Sequence, residues 1–490
     1  MSSGRPTLVR RAVVIGLFLF VLAVRLPYLA DSPYGYDSWR QSDTEAMARH
    51  FAEHRFNVLF PQLNYQGPLP NYAQLELQVT TALIAVLYKL FGYHYAWARI
   101  VPILFFMGSA LFVYRIALRH YSAFPAALAL LLYGLLPLNV LYSRAIMPES
   151  AALFFYTGAF YLFGEWIARG KRGLLFASSL FTALAVCEKV PAVFVGIPMI
   201  VMAVNKYRIG VLFRIDMWAF AAMALLPPFA YYSWLGTVAE SAFVSGIASK
   251  HILPAMARAV FTKEAWAFFA AELPKAFTWC GLALFVLGLA LVLLRWRSYL
   301  AICAWTLAML VELATIVAVI RFNYYLIFIG PLVALLGAYA LGRLFERAWT
   351  SGRRPDKFRM AAVAGIGAAI VAVAFESFAA VAPVIGRQNE DVIRQAAIVE
   401  RYSSPDDLIV TGTDDPSLLN ASHRAGWRVA NSMPEDSVAE LDYFVREGAA
   451  YFVPLRGYID GDADGRLKRH LDERYPKLEA DSEYYIYKLR

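Results

Sequence analysis

The chain has 490 residues, 59% of them hydrophobic and 17% charged, with a formal net charge of +9 at pH 7. A soluble globular protein has about a quarter of its residues charged, so this composition excludes one and points to a protein that crosses a membrane many times. It argues against nucleic acid as a partner too, because the Lys and Arg residues lie in short clusters between apolar runs rather than in one patch.

The first element is "MSSGRPTLVRR" followed by "AVVIGLFLFVLAV", a charged and then apolar pattern shared with signal peptides. The following "RLPYLADS" has no small-x-small cleavage site, so the segment reads as an uncleaved first span. Apolar runs of near-spanning length recur at 12–30, 97–115, 124–142, 150–168, 174–189, 190–204, 216–235, 278–295, 299–319, 322–342 and 360–381. Runs 174–189 and 190–204 are short and meet at "CEKVPA", which predicts a tight helical hairpin. Asn71 to Gly92 is a further candidate, but Gln74, Glu76 and Gln78 would make its first half costly against lipid.

Laid along the surface as a juxtamembrane helix, Asn71 to Gly92 leaves the basic clusters on one side. Arg10/Arg11, Arg115/Arg119, Arg169/Lys171/Arg172, Lys206/Arg208/Arg214, Arg295/Arg297 and "RRPDKFR" (Arg353 to Arg359) all become cytoplasmic. The expected fold is therefore a polytopic α-helical membrane protein of about eleven spans, N-terminus inside and C-terminus outside. Residues 1–386 form its transmembrane domain, with a first outer loop and juxtamembrane helices over 31–96 and a large outer loop over 237–277. Residues 387–490 alternate helix-like "EDVIRQAAIVERY" and "GRLKRHLDERY" with strand-like "DLIVTGT", "AAYFVPL" and "EYYIYKL", which predicts a small extracytoplasmic α/β domain. Cys187, Cys280 and Cys303 have no metal-ligand spacing and no disulfide framework, and read as small buried hydrophobes.

This orientation sends the loop bearing Asp43, the "YSRAIMPES" turn, the "CEKVP" turn and the "IRFNYY" turn to the outer side. Asp43 and Glu149 are the carboxylates there, and a carboxylate can take a proton from a hydroxyl nucleophile. Each also has a structural alternative: Asp43 as the N-cap of the helix-like "TEAMARHFAEH", Glu149 as a favourable charge at the start of the fourth span. Arg40, Arg144, Lys189 and Arg321 are the outer cations nearest span ends, where snorkelling competes with anion binding. Together they suit a reaction in which a lipid phosphate leaves while a carboxylate deprotonates the attacking hydroxyl. No P-loop, dinucleotide fingerprint, H-E-x-x-H or nucleophile elbow is present in a credible setting. His50 and His54 are four apart and could ligate a metal, but a solvated helix face is the simpler reading.

The strings "WRQSDTEAMARHF", "NVLFPQ" and "QGPLPNYAQLELQ" ending in "YKLFG" resemble the first outer loop of bacterial glycosyltransferase family 39 proteins. These are related to protein O-mannosyltransferases and the lipid A aminoarabinose transferase, within the GT-C class. "LPLNVLYSRAIMPES", "VCEKVPAVFVGIP" and "RFNYYLIFIGPLVALLGAY" are similar to later family segments, so the resemblance covers residues 10–345. It implies a catalytic role for Asp43 as general base and for Glu149 at the second-loop acidic position. It further implies Lys189 and Arg321 near the donor phosphate, with Tyr325 and Arg144 at the substrate. Relatives commonly open the first motif with Asp-Glu, whereas this chain has Arg40-Gln41-x-Asp43-Thr44. "QGPLPNY" stands where many have Lys-Pro-Pro-Leu, and Arg40 is the candidate to replace that lysine at the phosphate.

The implied activity is an inverting glycosyl transfer from a polyprenyl-phosphate-linked sugar donor to a hydroxyl on a lipid, glycan or protein. It would take place at the outer face of the cytoplasmic (inner) membrane, among membrane lipids. A divalent cation, Mg or Mn, is compatible with two carboxylates against a phosphate, but Lys and Arg suffice for a monophosphate, so no obligatory metal is expected. The alternative is a transporter or flippase for a lipid-linked glycan. That reading wants charged groups at mid-membrane and paired broken helices, and the sequence offers Arg25 and Glu312 with no internal repeat.

Overall fold

The structure is a computed structural model that describes residues 5–73, 75–238, 248–350, 356–429, 437–456, 462, 464–479 and 483–490. Gln74, part of the expected large outer loop and the start of the "RRPDKFR" block lie outside the described residues. The chain divides into two units, one of residues Met1–Leu29, Arg99–Thr237 and Phe243–Pro383, the other of Ala30–Ala98, Val238–Ala242 and Val384–Arg490.

The first unit is helical, and a helix occupies every apolar run expected from the sequence, beginning with Arg5–Ala23 and Tyr95–His120 and ending with Asp356–Val381. Among the described residues, six helices are long and apolar enough to cross a membrane: Tyr95–His120, Glu149–Arg169, Val190–Phe213, Leu300–Ile320, Asn323–Trp349 and Asp356–Val381. The pair Lys263–Phe277 and Trp279–Leu293, bent by 97° at Thr278, would make a seventh as one broken span. Local chemistry explains the other breaks. Leu136, which precedes Pro137, is held at ψ 131°, so the Ala123–Leu135 helix stops and a short Pro137–Tyr142 helix follows. Asn139 repairs part of that break by donating from Nδ2 to the freed Tyr133 carbonyl at 2.8 Å.

Packing in this unit is tight. A Cβ on Gly288 would lie 2.0 Å from the Leu336 carbonyl oxygen, so only glycine lets the Trp279–Leu293 and Gly330–Thr350 helices approach so closely. The turn after Cys187 is not a hairpin of two mutually packed helices. Arg172–Glu188 lies on Glu149–Arg169, whereas Gly196–Tyr207 rests on Leu300–Glu312. Lys189 between them is extended (φ −157°, ψ 113°), and a 3₁₀ turn runs over Val190–Val195.

The second unit joins the first-loop segment to the C-terminal residues. Its sheet has the order β2-β1-β3-β5-β4, with β1 Leu408–Gly412, β2 Gly426–Arg428, β3 Ala449–Pro454, β4 Lys477–Glu479 and β5 Tyr485–Lys488. β1 pairs parallel to β2 and β3, while β5 runs antiparallel to β3 and β4. Alternate residues serve opposite faces, as the strand period of two requires. Val410 and Phe452 pack with Trp427, Phe444 and Leu471, whereas Ile409 and Val453 pack with Val399, Leu418 and Leu419. The helices Glu390–Tyr402 and Arg466–Arg474 fall where the sequence places them.

The free edge of β2 is covered by the first-loop segment: Gly67 N donates to the Gly426 carbonyl at 2.8 Å and Gly426 N to that of Asn64 at 2.9 Å. The expected helix from Asn71 starts only at Val79 and ends at Phe91. Residues 71–73 and 75–78 are irregular because their polar groups are spent on tertiary bonds. Tyr72 bridges to Gln62, Glu76 pairs with Arg40, and Gln78 donates to the Glu76 carbonyl at 2.6 Å and accepts from the Thr81 hydroxyl at 2.6 Å.

A buried polar seam fastens the Ser38–Glu53 helix to the short Ser417–Ala421 helix. Asn420 Nδ2 donates to Glu45 Oε2 at 2.7 Å, and its Oδ1 accepts from Arg49 Nη2 at 3.0 Å. Tyr88 donates to Glu45 Oε1 at 3.4 Å, and Ser42 donates to Ser417 at 3.2 Å. Asn420→Leu removes both bonds from charged partners that stay buried, which costs about 2–3 kcal/mol. Denaturant unfolding of the detergent-solubilised protein, followed by proteolysis of the C-terminal residues, is expected to shift to lower denaturant. An unchanged midpoint would show that the seam contributes nothing.

Candidate functional site

Each unit holds a cluster that includes residues singled out from the sequence. In the second unit, Asp43 lies in the second turn of the Ser38–Glu53 helix, so it is not a helix cap; the N-cap position belongs to Asp37. Asp43 is only 5% exposed. Its Oδ2 accepts from the Tyr65 hydroxyl at 3.3 Å, and among the described residues Oδ1 has no hydrogen-bond partner. Burial pushes its pKa up to about 7, against the opposing pull of Arg40, the Tyr65 hydroxyl and Arg428, while Asp415 adds a smaller push. A carboxyl group titrating near neutrality, with one oxygen unspent, has the properties of a general base.

Arg40, one turn before Asp43, is held in an ion pair with Glu76. The Arg428 guanidinium stacks over the rings of Tyr65 at 4.2 Å and Trp39 at 4.6 Å. His50 is buried rather than on a solvated face. Its Nε2 meets Asn64 Oδ1 at 2.6 Å and its ring stacks on His54, while burial and Arg49 lower its pKa to about 4.

In the first unit, Glu149 opens the Glu149–Arg169 helix, is fully buried, and forms an ion pair with Lys189. The Lys189 ammonium also lies over the rings of Tyr324 at 4.5 Å and Tyr325 at 4.6 Å. Tyr142 donates to Asn323 Oδ1 at 2.8 Å and packs edge-on against Tyr324. Glu149, Lys189 and Tyr325 are thus brought together. Arg321 is placed apart in its contacts: it ends its helix in the left-handed region (φ 50°), is exposed, and donates to the Ala318 carbonyl at 3.4 Å. Arg144 is buried and bonds the Tyr28 carbonyl at 2.7 Å, while its own carbonyl accepts from Arg99 at 3.0 Å.

Sequence reasoning missed Tyr65, Arg428 and Tyr324. Tyr324 was open to discovery as the neighbour of Tyr325, but nothing local marks Arg428. Two guanidinium groups act on Asp43, and among the described residues no three His, Cys, Asp or Glu side chains gather as a metal set.

Residues 48–232 match the protein family described as dolichyl-phosphate-mannose-protein mannosyltransferase. Comparison with curated proteins finds no match. Among solved structures, the chain is similar to ArnT from Cupriavidus metallidurans, in its apo state and bound to undecaprenyl phosphate, at 14% identity and a TM-score of 0.68, covering 100% of this chain and 99% of that one. It is also similar to the oligosaccharyltransferase AglB from Archaeoglobus fulgidus, in complex with an inhibitory peptide and a dolichol-phosphate, at 12% identity and a TM-score of 0.64, covering 100% of this chain and 75% of that one. An Archaeoglobus fulgidus oligosaccharyltransferase in complex with Zn and sulfate matches at 14% identity and a TM-score of 0.63, covering 97% and 73%. The resemblance to GT-C glycosyltransferases that the sequence carries is therefore found both in a family segment and in the fold.

The Glu149–Lys189 pair makes a test of its own. Lys189→Met leaves a fully buried carboxylate without its cation, which costs about 3–5 kcal/mol. The double variant Glu149→Gln/Lys189→Met is expected to recover most of that loss in tryptophan-monitored unfolding. A double variant no more stable than the single one would mean that Lys189 stabilises through its ring contacts alone.

Proposed function

We propose that the chain is an inverting glycosyltransferase that moves a single sugar from a polyprenyl-phosphate carrier to a hydroxyl on a lipid, glycan or protein. The observation that carries the reading is the state of Asp43: buried, titrating near pH 7, outside any capping role, and with Oδ1 unpartnered among the described residues. The ArnT-like fold and the match to a dolichyl-phosphate-mannose transferase family support the same class.

In this reading the acceptor oxygen attacks the anomeric carbon while the bond from that carbon to the phosphate oxygen breaks. The electron pair leaves with the polyprenyl phosphate, and the hydroxyl proton passes to Asp43 Oδ1. One displacement inverts the anomeric centre. Donor-phosphate binding is assigned to Lys189, Arg321 and Arg40, each on its chemistry as a cation. Glu149 holds Lys189 before the donor arrives, and the rings of Tyr324 and Tyr325 give the ammonium an electron-rich wall. Arg144 is assigned to the substrate side through the turn it braces. The reading includes about eleven spans, an N-terminus inside and a C-terminus outside, because that arrangement keeps the basic clusters cytoplasmic. It places the chemistry on the periplasmic or exterior face of the cytoplasmic membrane and requires no metal.

The test is sugar transfer by the purified protein in lipid, given a panel of polyprenyl-phosphate sugars, with slow donor hydrolysis counted as turnover. Asp43→Asn is expected to lower turnover by about 10²–10⁴-fold. A base works deprotonated, so the wild-type rate is expected to fall about tenfold per unit as pH drops below about 7 and to level off above it. If Asp43→Asn turns over at the wild-type rate, Asp43 is not the base. If no donor is consumed with acceptors present, the enzymatic reading itself fails.

A further inference from the structure

The role of the C-terminal residues was open from the sequence, and the second unit narrows it. Several of its parts reach the neighbourhood of Asp43. Asp415, in the turn before the Ser417–Ala421 helix, accepts hydrogen bonds from Ser38 Oγ and from the Ser417 backbone N–H and hydroxyl. Ser417 accepts from Ser42, the residue before Asp43. Arg428, the last residue of β2, donates to the Asp414 carbonyl and spreads its guanidinium over Tyr65 and Trp39.

Tyr65 is the residue whose hydroxyl donates to Asp43 Oδ2. A hydroxyl on a ring that swings freely would hold that bond poorly, whereas a ring clamped beneath a planar cation has its orientation set. The groups that act on Asp43 are Arg40 from its own helix, Tyr65 from the first-loop segment, and Arg428 and Asp415 from the C-terminal residues. Arg40 is already paired with Glu76, and Asp415 with its serine donors. Among the described residues, Arg428 forms no ion pair with a carboxylate.

We propose that Arg428 is a positioning residue for Asp43: it fixes Tyr65 against the Asp43 carboxylate and adds its own positive charge to the groups that act on that carboxylate. The C-terminal domain is then part of the base's machinery rather than a separate binding appendage. The inference rests on the reading of Asp43 as the general base. It also accounts for the covered β2 edge, because the bonds from Gly67 and Gly426 set the strand that carries Arg428 against the segment that carries Tyr65.

The experiment compares wild type, Arg428→Ala, Arg428→Lys, Tyr65→Phe and Asp43→Asn as full-length proteins in lipid, reading the pH profile of donor consumption. Losing a nearby cation or a hydrogen bond to the carboxylate disfavours its charged form. The acidic limb is therefore expected to move up by about one pH unit in Arg428→Ala and in Tyr65→Phe, with the donor KM little changed. Arg428→Lys keeps the charge but loses the planar stack, and is expected to return the limb toward the wild-type position. A structural role alone would lower the amount of folded protein and leave the limb in place. If Arg428→Ala does not fold, Arg428→Lys and Tyr65→Phe decide by the same limb. A limb unmoved in the folded variants, with Asp43→Asn inactive, overturns the proposal and leaves the base reading standing. An active Asp43→Asn, or a wild type that consumes no donor, overturns the base reading and the proposal with it.

Discussion

A charge removed from water has to be answered by another charge or by hydrogen bonds, and both units are organised around that requirement. In the second unit, Glu45, Arg49 and Asn420 answer one another across two helices that are far apart in sequence. In the first, Glu149 is fully buried and Lys189 answers it. Apolar packing alone would let helices slide; these bonds have one good geometry and therefore set a register. The sheet edge covered by Asn64 and Gly67 obeys the same logic for backbone groups.

Against that background Asp43 stands out from Glu45, its near neighbour on the same helix. Burial raises the pKa of both carboxyls. Glu45 is then met by Arg49, by the Asn420 amide and by the tyrosine hydroxyls around it, so its acceptor capacity is spent on holding the fold. Among the described residues, Asp43 has one long bond, from Tyr65, and an oxygen with no partner. A saturated carboxylate gains little from taking a proton, whereas an under-satisfied one in a dry site gains much. Two acids in one helix thus differ in their partners rather than in their exposure.

What the sequence discloses and what it hides follows from the range of the forces involved. Long apolar runs are a local property, so the helices of the first unit were legible. So were β1, β3 and β5, which are rich in β-branched and aromatic residues. β2 and β4 have three residues each, too few to show a period. Asp43 was picked out in the sequence, and the structural alternative of a capping role came from reading the helix start at the acid when the helix begins at Ser38. The irregular run before Val79 was hidden because the bonds that hold it, such as Glu76 to Arg40, are tertiary. Arg428 was hidden for the same reason: it acts on Asp43 through a ring that only folding brings between them. Ala30–Ala98 and Val384–Arg490 fall in one contact unit.

The cations of the first unit show how a membrane protein can place charge without idle cost. Lys189 follows the end of one helix with extended backbone and precedes the 3₁₀ turn Val190–Val195; Arg321 ends another in the left-handed region and precedes the 3₁₀ turn Asn323–Ile329. Breaking a helix frees backbone groups that lipid cannot satisfy, so such breaks persist where protein or a polar cavity surrounds them. Both breaks adjoin candidate spans, and both bring a cation beside the Tyr324–Tyr325 segment, Lys189 through its ring contacts and Arg321 through the chain itself. An intact helix would carry a lysine side chain back along its own axis. An extended residue at the break instead sends the ammonium sideways, to a carboxylate on one helix and aromatic rings on another.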